Sequence, residues 1–132
     1  MTANLTNKPR TTLYMISSLD GKISTGSGDD RDVDLDFPRI KGVKEGLHQY
    51  YDLEKRTDRV SFNSGKVQAK VGVNSRDLSK VQKESLDFVV VDNAPHLTRH
   101  GCEYFARRSK TFYLITTNKK HPAYSLLKEL TM

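Results

Sequence analysis

Cysteine is almost absent. The single Cys102 in 132 residues excludes an intramolecular disulfide and any zinc site built from several thiolates. Long hydrophobic runs are missing as well, so no window could cross a membrane. The opening residues MTANLTNKPR hold no apolar h-region of the kind a secretory signal needs. The expectation is a soluble protein of the cytoplasm, which makes the formal glycosylation sequon Asn4-Leu5-Thr6 a chance match. Charge of one sign is nowhere concentrated. The 22 basic and 16 acidic residues leave a net charge of +6, which favours anionic partners. The cations are scattered rather than gathered into a footprint, which speaks against nucleic acid and for phosphorylated small molecules and cofactors. Repeats, low-complexity stretches and linkers are also lacking.

What is present suits one domain over residues 1–132, with a hydrophobic content of 36% to fill one modest core. Residues 11–17 (TTLYMIS) are β-branched and aromatic and predict a strand. Gly21, Gly26, Gly28 and Pro38 mark 18–38 as a long loop. Ile40, Val43, Leu47 and Tyr50/Tyr51 recur at helical spacing, predicting a helix to about Arg56. A short strand follows at 59–63, then a helical turn capped by Ser64 and running through Gln68 and Ala69. Residues 75–86 read as a polar surface helix or loop. DFVVVD at 87–92 and TFYLIT at 111–116 read as buried strands, the first covered on both faces. Between them HLTRHGCEYFARR predicts a helix with Leu97, Gly101, Tyr104 and Phe105 inward, and PAYSLLKEL a last helix opened by Pro122. This alternation predicts an α/β fold, a mainly parallel sheet flanked by helices on both faces.

Ligands of such sheets lie at the carboxyl ends of the strands. That rule singles out three loops: the one after residue 17, Asn63-Ser64-Gly65-Lys66, and Thr116 to Lys120. SLDGK at 18–22 is a common turn sequence, since glycine accepts positive φ and aspartate bonds its own backbone. At a strand end, however, Asp20 would hold a substrate amine or amide. NSGK fails as a phosphate loop, because Val60 and Val67 stand where glycine and serine or threonine are required. It keeps an anion-binding capacity through Ser64 and the amides of Gly65 and Lys66, the alternative being an ordinary capped helix. TTNKK offers hydroxyls, an amide and lysines for a phosphate or ribose, or is simply a polar loop. The acidic run Asp29 to Asp36 imitates the start of a calcium loop, but Leu35 and Lys41 occupy the positions that need glycine and glutamate. His96 and His100 share a helix face without a third zinc ligand.

Taken together, SLDGKI (18–23), DRVSFNSGKVQAKVG (58–72) and FYLITTNKKHPA (112–123) resemble the dihydrofolate reductase-like superfamily, specifically the reductase domain of bacterial riboflavin biosynthesis enzymes. The resemblance runs along the whole chain in order, with Ser24 in place of the usual alanine. It implies an NADPH-dependent reductase of a pyrimidine- or pterin-like heterocycle, a small-molecule substrate. In that reading Ser18, Asp20 and Lys22 line the substrate pocket, and Asp20 is the candidate catalytic acid. Asn63, Ser64, Gly65 and Lys66 contact the cofactor. Thr116, Thr117 and Asn118 take the adenosine ribose or its phosphate, with Lys119 adding positive charge. Hydride transfer belongs to the nicotinamide.

The sequence departs from the family at its end. Members continue into a Gly-Gly-Gly-x-Leu-type loop that grips the cofactor pyrophosphate, whereas this sequence stops at Met132. The expectation is a fold incomplete at its C-terminus: a fragment, or a shortened homologue that covers its exposed sheet by homo-oligomerisation. Weak or absent NADPH turnover is expected of this polypeptide alone. Two further readings compete with the reductase: a non-catalytic, self-associating interaction module of the same fold, and a small basic nucleic-acid binder.

Overall fold

The computed structural model of the chain describes residues 8–22, 26–27 and 36–130. A 3-10 turn at Phe37–Arg39 leads into helix α1, Val43–Glu54. Its start is set by Glu45, whose carboxylate accepts from the Gly42 amide at 2.6 Å and so satisfies a donor that the helix leaves orphaned. Strand β1 (Val60–Ser64), the short helix α2 (Gly65–Lys70), β2 (Asp87–Val91), α3 (Arg99–Arg108), β3 (Thr111–Ile115) and α4 (Ala123–Leu130) follow. Residues 71–86 form loops and 3-10 turns, the loop alternative for the polar stretch at 75–86.

The strands form one parallel sheet in the order β1-β2-β3. Its register aligns Phe62, Val89 and Tyr113 in one row and Asn63, Val90 and Leu114 in the next. An unreversed strand order with right-handed crossovers sends both connecting segments to the same face. Burial follows that rule. Phe88 and Val90 on β2 are buried beneath α3, where the Phe105 ring stacks 5.5 Å from Phe112 and tilts 5.4 Å from Phe88. Val71, Val73, Leu97, Cys102, Ala123 and Leu126 complete this core. Helix α3 is capped by the Thr98 hydroxyl, which accepts from the Gly101 amide. Gly101 is glycine because a Cβ there would stand 2.3 Å from Asn74 Oδ1, the atom that in turn accepts from Thr98.

Three expectations are corrected. Residues 11–17 form no strand; Leu13 is 81% exposed, and Tyr14 ties the segment to α1 by stacking on Tyr50 at 4.8 Å. β-propensity makes a strand only where an edge accepts it, and here the aromatic contact with α1 is made instead. Among the described residues the sheet is covered on one face and not on two. Accordingly β2 is buried on one side only, and β3 leaves Tyr113 and Ile115 half exposed. On that open face Phe62 is 70% exposed, beside Val60 and Val91. The glycine-marked loop at 18–38 closes a turn at Leu19–Asp20, while 23–25 and 28–35, with most of the acidic run, lie outside the described residues, as does Asn4. Among the described residues no helix is long and apolar enough to cross a membrane.

Candidate functional site

The carboxyl ends of all three strands converge on one buried carboxylate. Asp92 directly follows β2 and is 2% exposed. Its Oδ2 accepts from the Leu97 amide at 2.8 Å, the His96 amide at 3.0 Å and His121 Nε2 at 3.0 Å. Its Oδ1 accepts from His96 Nδ1 at 3.0 Å. His121, fully buried after β3, receives the Ala123 amide on Nδ1, which places the proton of its neutral ring on Nε2, facing Asp92. From β1 comes Gly65, where a Cβ would lie 2.3 Å from Asp92 Cγ. Only glycine lets α2 begin this close to the carboxylate, which is why the NSGK sequence reads as it does. Burial works to raise the Asp92 carboxyl. The Leu97 amide, the His121 and His96 imidazoles and the His96 amide together outweigh it and hold the carboxyl below its usual range. The site is therefore a fixed anion with satisfied lone pairs, and His96, half exposed, is the imidazole it presents to solvent.

Asn93, the next residue, joins this centre to the loop after β3. Its Oδ1 accepts from the Thr117 amide at 2.7 Å and the Thr117 hydroxyl at 2.8 Å, and its carbonyl accepts from Asn118 Nδ2 at 3.2 Å. Thr116 Oγ1 accepts from the Asn118 amide. With the Thr117 proton spent on Asn93, what that hydroxyl offers a ligand is lone pairs, which suit a ribose hydroxyl better than a phosphate. Lys119 is exposed beside them and supplies the charge. Across the sheet Asn63 is held on the covered face by Ser61 and Gln68, whereas Ser64 and Lys66 are exposed.

Two of the three loops expected at the site thus share one edge. The register sets Ser64, Val91 and Ile115 side by side, so Asn63 to Lys66 and Thr116 to Lys119 open in the same direction. The third is not carried to a strand end, because residues 11–17 are not a strand. There Asp20 bonds the Ser18 hydroxyl and meets Lys22 Nζ at 2.9 Å. Ser18 and then Lys22 keep the exposed Asp20 carboxyl below its usual range, which makes it an acceptor rather than a proton donor at neutral pH.

Sequence reasoning passed over Asp92, Asn93 and His121, and weighed His96 only as a zinc ligand on a helix face shared with His100, whereas α3 begins at Arg99, after His96. The signal was available: an acid closing the apolar run VVVD lies at a strand's carboxyl end, the position the rule for parallel sheets singles out. Cys102 is no nucleophile, since burial, helped by the charge of Asp92, pushes its thiol up to about 12. Among the described residues no three His, Cys, Asp or Glu side chains are grouped to hold a metal ion. Fold and site together define an α/β domain with a polar centre at the carboxyl edge of a parallel sheet. Comparison with family models, curated proteins and solved structures gave no match.

Proposed function

We propose that the chain is an NADPH-dependent reductase domain, similar to the riboflavin-biosynthesis reductases, acting on a pyrimidine- or pterin-like heterocycle. The observation that carries this reading is the shared edge. The loops at 63–66 and 116–119 flank one intervening strand, roughly 10 Å apart at strand spacing, with Asn93 between them. That span suits a dinucleotide laid across the strand ends. The donor set fits the group: Lys66 and Lys119 for phosphate charge, and Thr117 lone pairs for a ribose hydroxyl. When bound, NADPH supplies the hydride. The chain's own part is to bind and orient. Asp92 holds His96 at that edge, the imidazole that would hand a proton to the substrate. The resemblance assigns Ser18, Asp20 and Lys22 to the heterocycle's polar groups, a role that requires their turn to be brought to the same edge.

Titration of NADPH fluorescence tests this. Micromolar binding is expected, with Lys119→Ala weakening it about fivefold through the loss of one exposed charge contact. No binding at about 1 mM cofactor overturns it.

A second reading, a self-associating module, is favoured by the open sheet face. Phe62, Val91, Tyr113 and Ile115 form a contiguous apolar surface, and the Asp87 Oδ1 in the same face is buried without a hydrogen-bond donor among the described residues. A second copy of the chain is the occupant this reading requires. The two readings are compatible, since the open face and the carboxyl edge are different surfaces.

A further inference from the structure

At the opposite end of the sheet, where β2 and β3 begin, lies a cleft of about 460 Å³. It is bounded by the loop through Arg76, Lys80, Val81 and Glu84 and by Tyr104 and Arg108 from the last turns of α3. The Tyr104 hydroxyl stands between two guanidinium groups. Arg76 Nη1 donates to it at 3.0 Å and Arg108 Nη1 at 3.4 Å, and both cations also lie over the ring, at 5.3 and 5.9 Å from its centroid.

Charge here is not balanced. Arg108 is matched by Glu84, which accepts from its Nε at 3.1 Å and Nη2 at 3.0 Å. Asp77 is committed to the Ser79 amide and hydroxyl and to Lys80 at 3.6 Å. Among the described residues Arg76 has no carboxylate partner; its other bond goes to the Val71 carbonyl. The donor count is unbalanced in the same direction. Each guanidinium carries five N–H groups, of which Arg76 uses two and Arg108 three. A hydroxyl whose two lone pairs both face cationic donors keeps its proton for an outside acceptor, and no described residue takes the one on Tyr104.

We propose that this cleft is a binding site for a small phosphomonoester, held by Arg76, Arg108 and the Tyr104 hydroxyl, with Lys80 at its rim. Donors converging from four side chains match a tetrahedral dianion better than a planar carboxylate, and guanidinium forks bind phosphate oxygens in pairs. The volume exceeds that of phosphate alone and lies within the range of small-molecule sites, leaving room for the esterified group beside Val81. The site is independent of the carboxyl-edge centre and of the reductase reading.

The test is a titration followed by the Arg Nε–H and Tyr ring resonances in NMR, with inorganic phosphate, ribose 5-phosphate and acetate as separate probes. Saturable shifts at Arg76, Arg108 and Tyr104 are expected, with the ester binding at about 1 mM or tighter, phosphate more weakly, and acetate more weakly still. Tyr104→Phe keeps the ring and removes only the proton, and should weaken the ester about tenfold, as Arg76→Gln should. Both variants must retain the wild-type pattern of backbone amide shifts. If either unfolds, Arg76→Lys, which keeps the charge and loses the fork, takes its place, with an intermediate affinity expected. Shifts that never saturate, that acetate reproduces equally, or that survive Tyr104→Phe and the Arg76 variants overturn the proposal.

Discussion

The covered and the open face of the sheet are made by the same three strands and the same alternation of side chains, yet they differ in everything that follows from packing. Phe88, Val90, Phe112 and Leu114 point toward α3 and share a core with Phe105. Val60, Phe62, Val91, Tyr113 and Ile115 point away from it and stay exposed. The strands do not distinguish the faces by hydrophobicity; the crossovers do. An unreversed strand order with right-handed connections can supply helices to one side only. Monomers rarely leave so continuous an apolar surface to water, which is the ground for the self-associating reading.

The largest effect expected from breaking the comparison is at Phe105, which is fully buried against both Phe88 and Phe112. Phe105→Ala should cost about 3–5 kcal/mol in urea unfolding, a large share of the stability of a domain this size. The matching truncation on the open face, Phe62→Ala, should cost well under about 1 kcal/mol, since little area is removed from water there. Similar losses from the two variants would mean that the open face is buried in the folded monomer.

Next in size is the polar centre that joins the strand ends on the covered side. Gly65→Ala drives a methyl against the Asp92 carboxylate, which is itself locked by His96, Leu97 and His121, so neither side can give way. A loss of about 1–3 kcal/mol is expected from such overpacking, read as a drop in thermal midpoint. Little or no change in midpoint would show that α2 can move away from Asp92.

The charge on Asp92 sets a smaller effect with a definite direction. Its folded-state pKa is depressed, so its contribution is complete above the ordinary carboxylate value near 3.9 and is lost as pH falls through the lower, folded value. Stability should therefore fall on acidification below about pH 4, and Asp92→Asn should flatten that limb while lowering stability at pH 7. An unchanged acid limb in the variant would assign the dependence to other carboxylates.

How much of this was legible in the sequence follows from where each signal is written. The three paired strands and the inward set Leu97, Gly101, Tyr104 and Phe105 are local periodicities and stand as expected, and the helix expected from Ile40 to about Arg56 is there over the shorter span Val43–Glu54. The N-terminal strand was not legible because TTLYMIS carries β-propensity without specifying an edge, and Tyr14 finds Tyr50 instead. One-sided burial was not legible either, since it depends on strand order, which no local pattern encodes. At the site, the polar loops after β1 and β3 could be read from position alone. His121 could not, because its role rests on a contact with Asp92, 29 residues away.

The smallest expected effect on folding is the one that most sharpens the comparison. Phe62→Lys places a charge on the open face, midway along the edge strand β1, in the row shared with Val89 and Tyr113. In the isolated chain the ammonium would remain in water, so the unfolding free energy should change by no more than about 0.5 kcal/mol. If a second copy covers the face, however, the same charge would be buried in an apolar interface with nothing to neutralise it, a cost that association cannot offset. Sedimentation velocity should then show a self-associating wild type and a monomeric variant of equal fold, while NADPH affinity at the carboxyl edge stays unchanged. Loss of cofactor binding together with loss of assembly would show instead that the two surfaces are one site, completed only by the second copy.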